Sequence, residues 1–213
     1  MKFEEYLALH PKVAAQELPG TDAQLEMAPQ SRSALIRKLK HDVADSRLAA
    51  VMMVVYPDAS GDARFICILR KTYRGVHSDQ IGFPGGKQDP VDDSLLETAY
   101  REVEEEIALS RKRIHAPIPF TPLYVPPSNF TMHAFLAYVT TLPQLIPEER
   151  EVEAILDFSI ADLLDDQNCV TKRITTNYLD DYKTPVFELE GKTIWGATAM
   201  ILAEVRAAIR KAL

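Results

Sequence analysis

The sequence predicts an α/β (α+β) fold: one main domain in which a β-sheet is covered by helices. Three observations carry that expectation. The segment LAAVMMVVY (48–56) is apolar throughout and rich in β-formers, as a strand buried on both faces should be. Strand-like segments then alternate with a few helix-like ones along the chain. Finally, the chain ends in ATAMILAEVRAAIRKAL, where Leu202, Val205, Ile209 and Leu213 recur at helical spacing. At 213 residues and 23.9 kDa the chain suits one sizeable core better than two.

Residues 1–47 read as an N-terminal extension, with helical pieces at Phe3–Ala15 and Ser31–Asp45 and a loop between them holding Pro19, Gly20 and Pro29. Two roles are open for it: covering a sheet edge, or forming the contact of a homodimer. Residues 48–213 read as the functional domain. In it, strand 48–56 is followed by turn chemistry at 57–62 and a paired strand, RFICILRK (64–71). A glycine-rich loop (75–86) leads into a strong helix over about 94–107. Strand-like segments follow at 119–125, 131–140, 153–159, 185–189 and 192–195, and DFSIADLL reads as a strand running into a short helix.

Composition excludes several function classes. The net charge is −7, so bulk charge does not draw the chain to nucleic acid or to an anionic membrane. The longest apolar run has nine residues, about half of a membrane span. Glu4 and Glu5 stand where a secretory signal would be basic and then apolar. Cys67 and Cys169 are the only cysteines, too few for a disulfide framework, and a cytoplasmic location is the expectation.

The charge is localised. Residues 89–106 hold eight acids and one base, which is −7 in eighteen residues, and the remainder balances. Four of the eight glycines (Gly75, Gly82, Gly85, Gly86) lie directly before this block. The helix start is marked by Ser94 and Glu97, which fit a capping box. On the helix, Leu96, Ala99, Val103 and Ile107 fall within about 80° and form a core stripe, while Thr98, Glu102, Glu105 and Glu106 share a separate arc. Like charges at these spacings oppose the helix by roughly 0.2–0.5 kcal/mol a pair. A hard divalent cation, Mg²⁺ or Mn²⁺, offsets that repulsion because it takes carboxylate oxygens. The plain alternative is a solvated acidic face with no ligand. Context favours the metal. FPGGK precedes the helix, and Arg70, Lys71, Arg74 and Lys87 make the loop basic. A basic glycine-rich loop beside three carboxylates suits a metal-bound polyphosphate.

These residues resemble a known family. GGKQDPVDDSLLETAYREVEEEIAL is similar to the Nudix box, written G-x5-E-x7-R-E-U-x-E-E-x-G-U with U apolar. Arg101, Glu102, Val103, Glu105, Glu106 and Leu109 match it. Ala108 replaces the usual glycine. The segment before Arg101 is one residue longer than the commonest spacing, so Asp93 or a neighbour stands at the early glutamate. LRKTYRGVHSDQIGFPGG resembles the segment upstream of the box in coenzyme A diphosphatases. There Phe83, Pro84, Gly85 and Gly86 match, Asp79 stands at an expected glycine, and Gly75 at an expected arginine with Arg74 one place earlier.

The resemblance implies a Nudix fold, a mixed sheet sandwiched between helices. It also implies a Mg²⁺- or Mn²⁺-dependent hydrolase of acid anhydrides that splits coenzyme A or acyl-coenzyme A into (acyl)phosphopantetheine and adenosine 3′,5′-bisphosphate. By the same resemblance Glu102 and Glu106 become the principal metal ligands, Glu105 a further ligand with a catalytic role, and the Gly86 carbonyl an added one. Arg101 would orient the carboxylates. Glu151 resembles a glutamate that precedes the late strand and serves as base or extra metal contact; it also reads as one exposed acid among Glu148, Glu149, Glu151 and Glu153. The expected partner is a small coenzyme A-like diphosphate, contacted by Arg70, Arg74, His77, Phe83, Lys87, Ser128 and Asn129. His133, Cys67, Trp195 and Met200 read as structural. The rival readings are a Nudix hydrolase of ADP-ribose or a dinucleotide, and a non-catalytic nucleotide-binding module.

Overall fold

The structure, a computed structural model, describes residues 1–29, 45–71, 80–175 and 181–213. The helix expected over 31–45 falls almost wholly outside them, as do Arg74 and His77. Helix α1 (Phe3–Ala15) forms over the span its apolar spacing predicts, with Phe3, Tyr6, Leu9, His10 and Val13 on its buried face. Helix α2 (Gly20–Glu26) forms where the sequence reads as a loop. Its stability is tertiary: the Gly20 N–H and the Gln24 amide both donate to the buried carboxylate of Glu204.

Strand β1 (Arg47–Pro57) is the centre of the main sheet and is buried on both faces over most of its length. It pairs in parallel with β7 (Phe130–Tyr138) on one side. On the other side it pairs antiparallel with β2 (Ala63–Arg70) at its end and β4 (Gly85–Lys87) nearer its start. β2 carries β3 (Ile81–Gly82) and β8 (Val152–Ser159). The single strand expected over 119–125 is two, β5 (His115–Pro119) and β6 (Leu123–Val125), both on β7. Pro119 and Pro122, which lack an N–H, flank the break. A second, three-stranded sheet joins β9 (Cys169–Ile174), β10 (Tyr182–Leu189) and β11 (Lys192–Ile194). β9 escapes the sequence reading because its central residues are all exposed and carry no apolar alternation.

Two apolar layers flank the main sheet. Helix α3 (Leu95–Ile107) packs Ala99, Val103 and Ile107 against Ala50, Met52 and Val54 of β1. The opposite layer joins Val51, Met53 and Val55 of β1 to α1, α2, the short α4 (Ile160–Leu164) and the C-terminal α5 (Gly196–Ala212). Alternate β1 side chains enter alternate layers, as strand geometry requires. Cys67 and Met200 lie in this second layer, and Trp195 is half-buried before α5. No helix among the described residues is long and apolar enough to cross a membrane.

Candidate active site

The site is assembled where α3 meets β4. Ser94 caps α3 by accepting the Glu97 N–H at 3.2 Å, which fixes where the helix begins. Glu97 does not complete a capping box; its carboxylate pairs with Arg111 instead. α3 ends at Ala108, whose φ of 54° is left-handed. That conformation explains why the family pattern has glycine there.

Pairing with β1 places the three residues of β4 on alternating faces. Gly86 lies opposite Ala50 and faces α3; Gly85 and Lys87 lie opposite Val51 and Ala49 and face the other layer. Gly85 admits no side chain, and Gly86 admits one only if Glu102 moves. A Cβ on Gly85, at φ 152°, would strike the Ala50 carbonyl, and one on Gly86 would lie 2.5 Å from Glu102 Oε1. The Glu102 carboxylate therefore rests directly on the glycine backbone.

Glu106, one turn on, is 2% exposed, which the sequence did not foretell for a charged residue. Its Oε2 accepts the Gly85 N–H at 2.8 Å, and its Oε1 stands 3.4 Å from Arg70 Nη1. Arg70 also donates to the Gly85 carbonyl at 2.6 Å. Burial pushes the Glu106 carboxyl up to about 7; Arg70 and the Gly85 N–H pull it back, while the Glu102 and Glu151 charges push it further. Glu102 is raised as well, chiefly by burial, with Glu105 and Glu151 adding to it and Arg101 opposing. Glu151 is exposed, and its backbone accepts the Lys71 N–H. Its charge is felt at both principal carboxylates.

Arg101 organises the acids. Its Nε and Nη2 grip both oxygens of Asp92 at 3.0 and 2.9 Å. Its Nη1 bridges Glu102 and Glu105 at 2.9 and 3.0 Å, and Nη2 also donates to the Lys87 carbonyl. The Arg101 guanidinium holds the Asp92 carboxyl far below the usual carboxylate range. Asp92 is the residue that sequence reasoning underused: it anchors the arginine. Glu105 remains exposed. Among the described residues no group of three or more His, Cys, Asp and Glu side chains forms a ready-made metal cage. Arg101 presently bridges two of the three carboxylates. The donor set nonetheless fits Mg²⁺ or Mn²⁺: hard carboxylate oxygens, two of them desolvated and mutually repelling, beside a backbone that only glycine permits.

On the other face of β4 lies a cleft of about 180 Å³. Arg70, Phe83, Gly86, Lys87 and Ser128 line it, together with Phe130, Met132 and Ile201, which the sequence reading did not single out. Their only signal was strand and helix register. Asn129 is not on this wall: it ends a 3-10 turn at φ 52° and accepts from Tyr124. His133 sits half-buried on β7, its ring pKa lowered by that burial. Among the described residues β4 pairs only with β1.

With this arrangement in place, the comparisons define the class. Residues 46–178 match the NUDIX domain family, and the chain belongs to it. The chain is 34% identical over 129 residues to the mitochondrial coenzyme A diphosphatase NUDT8 of Mus musculus, a match covering 60% of this chain and 61% of that protein. It is 30% identical over 166 residues to the uncharacterized Nudix hydrolase NudL of Yersinia enterocolitica, covering 75% of this chain and 80% of that one. The chain thus spans about three fifths of the first of these relatives. Among solved structures, the MutT/nudix family protein from Enterococcus faecalis superposes with a TM-score of 0.53 at 14% identity, covering 92% of this chain and 76% of that one, which shows the shared fold.

Proposed function

We propose that the protein hydrolyses the diphosphate bond of coenzyme A or an acyl-coenzyme A, using Mg²⁺ or Mn²⁺. The products are (acyl)phosphopantetheine and adenosine 3′,5′-bisphosphate. The observation that carries the reading is the pair Glu102 and Glu106, one resting on Gly86 and the other buried against the Gly85 N–H. Two desolvated carboxylates beside a glycine edge are unfavourable in isolation and favourable once a divalent cation shares them. Similarity to a coenzyme A diphosphatase supports the choice of substrate.

Glu102, Glu106 and Glu105, with the Gly86 carbonyl, would hold the cation. When bound, the ion supplies positive charge that polarises the diphosphate and acidifies the attacking water. Arg101, itself held by Asp92, keeps the carboxylates aligned. Glu151, which acts on the same carboxylates from outside the helix, takes the proton as water oxygen bonds to phosphorus and the P–O–P bridge breaks. Lys87 and Ser128 at the rim hold the substrate. The location proposed is the cytoplasm, where the two free thiols stay reduced.

The test is a substrate panel with divalent ions and product identification. Coenzyme A should yield adenosine 3′,5′-bisphosphate. Turnover of ADP-ribose or a dinucleoside polyphosphate in its place would refute the substrate assignment, and no turnover of any member would refute the enzyme.

A further inference from the structure

The cleft beside β4 is apolar within and cationic at one end. Side chains of Arg47, Ala49 and Val51 alternate onto its face of β1, opposite Phe130, Met132 and Ala134 of the parallel β7. Phe130 and Met132 line the cleft, and so does Lys87, which pairs with Ala49 on the other side of β1. Arg47 is not in the cleft wall but reaches two residues that are, Phe130 and Ser128. Its guanidinium carbon sits 4.1 Å over the Phe130 ring, and its Nη2 donates to the Ser128 carbonyl at 2.7 Å.

This anchoring orients the arginine without neutralising it. Arg64, Arg70, Arg101, Arg111, Arg173, Arg206 and Arg210 are each ion-paired to a carboxylate. Among the described residues Arg47 and Lys87 have no such partner; Lys87 lines the cleft, and Arg47 stacks on Phe130 of its wall. A guanidinium stacked on an aromatic ring, with its Nε and Nη1 left over, presents a planar fork suited to a phosphate. The cleft is too small for a whole coenzyme: pockets that bury a drug-sized ligand enclose roughly 300–1,000 Å³. One arm of the substrate enters it and the rest lies on the rim. From Ala50, opposite Gly86, to Arg47 is three strand residues, about 10 Å. One nucleoside bridges that gap between the diphosphate and a second phosphate.

We propose that Arg47, assisted by Lys87, forms a subsite for a phosphate monoester on the nucleoside arm of the substrate, with the Phe130 ring fixing the guanidinium plane. The inference deepens the coenzyme A reading and rests on it for the identity of the arm, the 3′-phosphate. It makes Arg47 a specificity residue with no part in the bond cleavage.

The test separates recognition from catalysis. Metal-free protein is titrated with adenosine 3′,5′-bisphosphate and with adenosine 5′-monophosphate, and turnover of coenzyme A is compared with that of dephospho-coenzyme A. The intact protein should favour the 3′-phosphorylated member of each pair. Arg47→Met keeps an apolar group over Phe130 and should remove that preference by roughly 10- to 100-fold, the effect of one charged hydrogen-bonding contact. Arg47→Lys should restore part of it, and both variants should leave affinity for the members lacking the 3′-phosphate unchanged. Equal weakening toward both members would show a structural role and overturn the proposal. So would a preference that survives in Arg47→Met, or no preference in the intact protein. If coenzyme A is not cleaved but the binding preference is present and lost in Arg47→Met, the subsite stands and the hydrolase reading falls.

Discussion

Glu106→Gln tests whether the acidic helix face is built around a cation. In the folded protein burial raises the Glu106 carboxyl from 4.5 to about 7. At about pH 8 the residue is ionised in both folded and unfolded states, and its charge opposes folding by about 3 kcal/mol. The sign follows from the direction of the shift. A carboxyl raised on folding leaves stability intact below about 4.5 and removes it progressively as pH climbs through about 7. Glutamine removes the charge and can still accept the Gly85 N–H, but it turns an NH₂ toward Arg70, which costs about 1–2 kcal/mol. The net expectation is a metal-free protein more stable by about 1–2 kcal/mol, a Tm rise of roughly 2–8 °C for a chain of this size. That gain should shrink strongly at about pH 5, where wild-type Glu106 is already protonated in the folded state. Mn²⁺ should raise the Tm of the wild type and have much less effect on the variant, whose kcat should fall at least 100-fold by loss of a metal ligand. The assay is thermal unfolding at the two pH values with and without Mn²⁺, paired with initial rates. A variant less stable than wild type at pH 8, or one that keeps the full Mn²⁺ response, refutes the reasoning.

Three further outcomes follow from the geometry. Ala108→Gly relieves a left-handed alanine at the end of α3 and should stabilise the protein by about 0.5–1 kcal/mol in denaturant titration; no gain would show that the αL strain is absent. Gly86→Ala puts a Cβ 2.5 Å from Glu102 Oε1, so the carboxylate must move. Displacement by about 1 Å can lower the rate about 100-fold, and kinetics showing wild-type turnover would disprove the contact. His10, buried between the Tyr6 hydroxyl and the Ala116 carbonyl, has its pKa lowered by burial. Because a carbonyl can only accept, Nε2 carries the proton and Nδ1 accepts from Tyr6 in the neutral ring. Stability from this group is complete above about pH 6.5 and declines as pH falls below it. His10→Gln should flatten that part of the stability profile, and an unchanged profile would assign the acid loss elsewhere.

Much of this was legible along the chain. The nine-residue apolar run becomes the central strand, and α1 covers Phe3–Ala15, because spacing and propensity are properties of neighbouring residues. The same locality explains the misses. β9 lacks an apolar face, and α2 depends on Glu204, 184 residues from Gly20. The carboxylate face of α3 could be drawn from helical period alone, but not its division into a buried Glu106, a Glu102 resting on glycine and an exposed Glu105.

By itself the sequence determined that an acidic block sits on one helix, that paired glycines precede it, and that the pattern is that of the Nudix box. Only the tertiary structure decided the electrostatics. Arg70 lies 36 residues from Glu106, and Arg47 lies 83 from Phe130. Sheet pairing brings Arg47 to Phe130, and the packing of α3 on the sheet brings Glu106 to Arg70. Secondary structure follows from short-range sterics and hydrogen bonding, so the order of residues encodes it directly. Desolvation and ion pairing depend on what the folded chain places around a group, and at this site those partners arrive from β2, β4 and β7.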